Sequence, residues 1–187
     1  MDMPIKRRMA SAILATAVLA GTAEALPAQA APASGDQAGP PAIVLYRKAL
    51  MNANVQRMAA LRALASGGEI GLGETELRDH ARKHAVVLHE NAVLMTKGLR
   101  GNYDLFPQGS VHPSSRATEK IWLEAEGGVG VEFTWRVQAF EETAADLVRV
   151  AQTGSVDQIR EAVGRVQVTC RGCHTSMRAP AQPAGAN

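Results

Sequence analysis

Apolar residues recur along this chain at intervals of three and four, with no β-branched run and no period of two to interrupt them. That is the spacing of amphipathic α-helices, whose faces repeat about every 3.6 residues. Four segments carry it. The first runs from about Pro41 to Ser66, with Pro41 tolerated in the opening turn and Gly67-Gly68 as its stop. Val44, Arg47, Met51, Val55 and Met58 share one of its faces. The second spans roughly Glu74 to Lys97, with Leu77, Ala81, His84, Leu88, Ala92 and Met95 in line. A long connection follows, from Gly98 to about Ala117. Its apolar Leu105-Phe106 pair predicts that it is packed. The third segment opens at Ile121-Trp122, breaks at Gly127-Gly128-Val129-Gly130, and resumes from Glu132. Its stripe is Phe133, Val137, Phe140, Ala144, Leu147 and Ala151, and it stops at Gly154. The fourth follows Ser155, a good N-cap. Ile159, Val163, Val166, Cys170, Cys173 and Met177 repeat along it at 4, 3, 4, 3 and 4.

Four amphipathic helices joined by three connections predict an all-α fold, an antiparallel up-down-up-down four-helix bundle. The core is short of bulk, because only seven of 187 residues are aromatic. Something else must fill part of it.

Cys170-Arg171-Gly172-Cys173-His174 names a candidate. Its C-x-x-C-H spacing reads as a covalent c-type haem attachment site. Two thiols add to the porphyrin vinyl groups, and the following imidazole reaches the iron as proximal ligand. On a helix Cys170 and His174 share a face, so one turn grips both ring and metal. Because both cysteines belong to the apolar stripe, the ring is expected inside the bundle. A buried macrocycle, at roughly 25 cal/mol per Å² of apolar surface, contributes more than any side chain. Two rival chemistries use the same thiols. A zinc site wants a second pair of ligands nearby, and the chain has no other cysteine. A redox disulfide of thioredoxin type wants a βαβ context near a helix start.

The ends carry targeting and linker composition. Lys6-Arg7-Arg8, the apolar stretch from Met9 to Leu19 and A-x-A sites ending at Ala25 and Ala30 predict a secretory signal peptide over residues 1–30, cleaved near 25 or 30. The stretch is short for a stable membrane anchor. Export to the periplasm suits the haem, since c-type attachment in bacteria is completed outside the cytoplasmic membrane. Residues 31–41 and 179–187 are rich in Ala, Pro and Gly and are expected to be disordered, which leaves 42–178 as the domain. Losing residues 1–30 removes three basic and two acidic residues, so the formal charge falls from +2 to +1. Nothing in that balance points to a nucleic-acid partner.

Two polar residues interrupt apolar stripes. Arg47 is unusual in an apolar stripe, where a side chain that snorkels to solvent is the plain alternative. His84 either forms a metal pair with His80 at i, i+4 or is a half-buried structural histidine; His80 and His89 read as solvated.

Taken together, Tyr46-Arg47 with Met51, Leu105-Phe106-Pro107, Ile121-Trp122, Phe133 with Phe140, and the late C-x-x-C-H resemble the cytochrome c′ family over about residues 42–178. The resemblance implies one covalent haem c, with His174 as proximal ligand and Arg178 beside it. It further implies Arg47 near a propionate, Lys48 and Ser115-Arg116 along the propionate edge, and Met51 above the distal face. The glycine run looks like an insertion, and Met177 replaces an aromatic common before the proximal arginine. The implied function is single-electron transfer or binding of NO and CO at a five-coordinate iron, with no enzymatic site. An apolar distal pocket without a hydrogen-bond donor would favour NO and CO over O₂. In low-spin relatives a methionine at the Met51 position binds the iron. A homodimer is also implied, for which residual apolar residues such as Leu50 and Leu61 on the first helix would be available.

Overall fold

The computed structural model describes residues 40–66, 70–99, 105–112, 114–123 and 128–180. The expected signal peptide, most of the linker, Gly67-Gly68 and the end of the tail lie outside them. Four helices account for most of the described chain: α1 Ala42–Ala65, α2 Glu74–Leu99, α3 Val131–Thr153 and α4 Val156–Met177. A single 3₁₀ turn, Glu119–Trp122, precedes α3. No helix among the described residues is long and apolar enough to cross a membrane.

The helix ends follow from the sequence. Ser155 caps α4 in a reciprocal box: its hydroxyl accepts from the Gln158 N–H while its own N–H donates to the Gln158 side chain. Gly130 ends the approach to α3, where a Cβ would collide with the Leu123 carbonyl oxygen. Only glycine fits there, which explains the break between Trp122 and Phe133. Each helix packs on its neighbours in chain order and α4 returns to α1, the ring of contacts of an up-down-up-down bundle. The α3 stripe is buried as expected, Phe133 to Ala151 without exception. The connection is packed as well. Leu105 and Phe106 are buried, the Trp122 Nε1 donates to the Phe106 carbonyl at 2.9 Å, and the Phe106 ring meets Phe133 edge-on at 4.7 Å.

Three expectations need correction. Leu50 and Leu61 are not free for a dimer face, being 8 % and 0 % exposed. Because α1 packs on both α2 and α4, its buried face is wider than one stripe and takes in Leu50, Asn54 and Leu61. Val55 is exposed instead. Pro41 is ordered, since its carbonyl accepts from the Val44 and Leu45 N–H groups at 2.8 and 3.1 Å, as the first amides of any helix require an acceptor. Nor does the tail begin at 179. The Ala179 N–H donates to the Arg116 carbonyl at 2.8 Å, and the Arg116 guanidinium donates back to the Ala179 carbonyl.

Candidate haem site

The last two turns of α4 bring Cys170, Cys173 and His174 to one side of the bundle, facing α1. Two adjoining cavities, of about 210 and about 310 Å³, open there. Met51, Val55, Met95, Cys173 and His174 line both, so the two are halves of one cleft. Together they reach the ~300–1,000 Å³ usual for cofactor sites. Cys170 closes the smaller half; Arg47, Lys48, Arg116 and Arg178 rim the larger. All eight residues singled out from the sequence are therefore gathered around one space.

The chemistry of the donors fits a haem. Both thiols are free and half-buried. Burial pushes Cys170 up to about 11 and raises Cys173 as well, partly opposed by Arg136. They sit as neutral thiols near a helix C-terminus, the reverse of the low-pKa cysteine that a thiol-disulfide oxidoreductase needs. His174 is half-buried. Its pKa is lowered by burial first, then by the Arg178 and Arg116 charges. The imidazole is held neutral, the form that ligates a metal. The Arg178 Nη1 lies 3.4 Å from its Nδ1.

Arg47 does not snorkel. At 6 % exposure it donates to the Ser110 hydroxyl and carbonyl at 2.9 and 2.8 Å, with its guanidinium 5.0 Å above the Phe106 ring. The connection between α2 and α3 thus fixes a cation at the cleft mouth. Lys48 is exposed there. Arg116, also exposed, spends its guanidinium on the Ala179 carbonyl. His84 is half-buried with its Nδ1 3.4 Å from the Arg57 Nη1, the structural alternative. His89 is half-buried too, not solvated. Among the described residues no three His, Cys, Asp or Glu side chains gather to hold a metal ion.

The wall beside Met51 is not wholly apolar, contrary to expectation. Asn54, buried on α1, lines the smaller half. The sequence did carry a signal for it, three residues after Met51 and four before Met58 on one helical face.

The sequence profile of the family described as Cytochrome C′ matches residues 42–178, nearly all of the described chain. The chain belongs to the cytochrome c′ family. Its members bind one covalent haem c and are periplasmic. Among its relatives, the cytochrome c′ of Pararhodospirillum photometricum is 28% identical over 142 residues, spanning 75% of this chain and 99% of that protein. The one from Halomonas halodenitrificans is 27% identical over 143 residues, covering 76% and 99%. The crystal structure of Thermochromatium tepidum cytochrome c′ superposes with a TM-score of 0.58 at 19% identity, covering 76% of this chain and 98% of that one. A further cytochrome c′, described for an unusual ligand-controlled dimer dissociation, gives 0.58 at 19% and covers 78% and 100%. Both superpositions show a common fold.

Proposed function

We propose that this chain is an exported haem c protein that takes diatomic ligands beside Met51 and exchanges single electrons through the same group. The observation that carries this reading is the cleft itself, open between Met51 on α1 and His174 on α4. The haem, when bound, supplies an iron with two accessible oxidation states and an axial position for a small ligand. The chain's residues do the rest. Cys170 and Cys173 would hold the ring as thioethers, and His174 would ligate its iron. Arg47, held by Ser110, would offer a propionate a charge-assisted donor. Lys48, Arg116 and Arg178 add positive charge along that edge. Residues 1–30 act as the export signal.

Met51 decides between two states of this site. If its side chain only crowds the distal face, the site is high-spin and takes gases. If its thioether binds the iron, a soft ligand raises the potential and the protein is an electron carrier. We favour the first, the commoner state among members of the family. The test is the ferric spectrum of the wild type beside Met51→Ala, followed by reduction and addition of CO and NO. A high-spin spectrum little changed by the substitution, with ligand-induced Soret shifts, is the expected result. A low-spin wild type whose near-infrared methionine band is lost in Met51→Ala would overturn it.

A homodimer is part of the proposal, on Leu45 and Tyr46, which α1 leaves exposed. Light scattering at micromolar concentration, with and without CO, tests this and reads any response to ligand. A monomer throughout refutes it.

A further inference from the structure

Asn54 stands one turn beyond Met51 and one turn before Met58, and all three line the smaller half of the cleft. At 7 % exposure the residue is largely taken out of water, where a polar group without a hydrogen bond is costly. One end of the amide is provided for. Asn91 on α2 donates from Nδ2 to the Asn54 Oδ1 at 2.7 Å. That bond occupies the carbonyl end and fixes which way the amide faces.

The Asn54 Nδ2 has no hydrogen-bond partner among the described residues. Yet none of their fully buried side-chain nitrogens or oxygens lacks one. The nitrogen must therefore retain access to open space, and the space this residue lines is the cleft. Two other polar groups of the same wall are engaged elsewhere. The Thr169 hydroxyl donates to the Arg165 carbonyl, and Arg136 pairs with Glu132 at 2.6 Å. Gln167 lines the same half from α4, and the exposed Arg62 lines it from α1, one turn beyond Met58.

We propose that Asn54 determines ligand specificity in this cleft: its Nδ2 donates to the outer atom of a diatomic ligand held beside Met51, and Asn91 is the positioning residue that aims it. The inference rests on the haem reading above and deepens it. A wall of methionines and valines sorts ligands by size and reach. A fixed donor sorts them by charge on the outer atom. It favours ligands polarised towards that atom, such as O₂ or cyanide, and gives nearly apolar CO little. The expected preference for CO over O₂ is narrowed accordingly.

The test uses haem-loaded protein. In the ferrous CO complex, a donor at the outer oxygen lowers the C–O stretching frequency, so Asn54→Leu moves the infrared band upward. Asn91→Ala releases the amide and broadens the band between those positions. Cyanide affinity of the ferric form falls about fivefold in Asn54→Leu, the size of one ordinary hydrogen bond, while CO affinity barely moves. Should Asn54→Leu fail to fold, the wild type in D₂O decides, because exchange of a donating amide shifts the CO band. A band at one frequency in wild type and Asn54→Leu, or in H₂O and D₂O, overturns the donor role while leaving the haem reading intact. A haem-loaded wild type that binds no CO overturns the donor role and the gas-binding reading together.

Discussion

The two halves of this bundle are built from helices of similar length and end up different. Where α2 meets α3 the facing positions are small or fully sealed: Ala81, Ala85, Leu88, Ala92, Ala144 and Leu147 are all 0 % exposed. Alanines let helix axes approach closely, and the two helices pack along most of their length. Where α1 meets the last turns of α4 the positions lining the gap are Met51, Val55, Cys170 and Cys173, none of them buried, and the two helices touch over a shorter stretch. One half is closed by its own side chains, and the other is left open for a cofactor. The same amphipathic period thus serves two ends. Side-chain size on the inner face selects between a sealed core and a cleft, and the closed half supplies the rigidity that keeps the open one from collapsing.

Removing what the open half is built to receive has the largest effect. Replacing Cys170 and Cys173 together by alanine abolishes covalent attachment, so all haem becomes extractable in acid acetone, whereas the wild type retains it. Haem that stays with the double variant would end the thioether assignment. In the closed half, Leu147→Ala leaves a void that no cofactor fills and costs about 2–5 kcal/mol in denaturant unfolding. An equal loss from Met51→Ala would erase the distinction between the halves. At the boundary, Arg47→Leu strands the Ser110 carbonyl and hydroxyl and costs about 1.5–3 kcal/mol. It also moves the reduction potential, by deleting a cation at the cleft mouth. A potential unmoved within error would separate Arg47 from the propionate.

The smallest effect lies in pH. Burial, then Arg57 and His80, lower the His84 pKa in the folded chain below its ordinary 6.5. The unfolded chain therefore takes up this proton first. The His84 contribution to stability is present above pH 6.5 and lost as the pH falls through the folded value. His84→Gln flattens that part of the slope, read as a smaller drop in melting temperature between pH 7.5 and 5.5. Because the side chain is only half-buried, the change is modest. A slope identical to the wild type would remove His84 from the acid response.

Helices, stripes and the attachment motif were legible because each is a local pattern: period, cap or spacing within one element. The α3 stripe and the Ser155 cap needed no tertiary knowledge. Arg47 was legible as a charge that required company, but its partner Ser110 lies 63 positions away and no period connects them. Asn54 with Asn91, and Arg116 with Ala179, were hidden for the same reason. Leu50 and Leu61 were misjudged because a single stripe underestimates a helix that packs on two neighbours. Side-chain partners across elements follow from the docking of the helices, which the one-dimensional pattern does not contain.

The stitching at the end of α4 bears on how long the site keeps its shape. A helix terminus ordinarily frays, since its last carbonyls have no amide above them. Here the Met177 carbonyl receives both the N–H and the hydroxyl of Thr118, and Arg178 bridges to Ala117 in antiparallel fashion. The turn bearing His174 is closed from beyond its own end. Its amides, with those of Thr118 and Ala179, should exchange with deuterium on the slow timescale of mid-helix positions, so that the imidazole stands on backbone that stays wound.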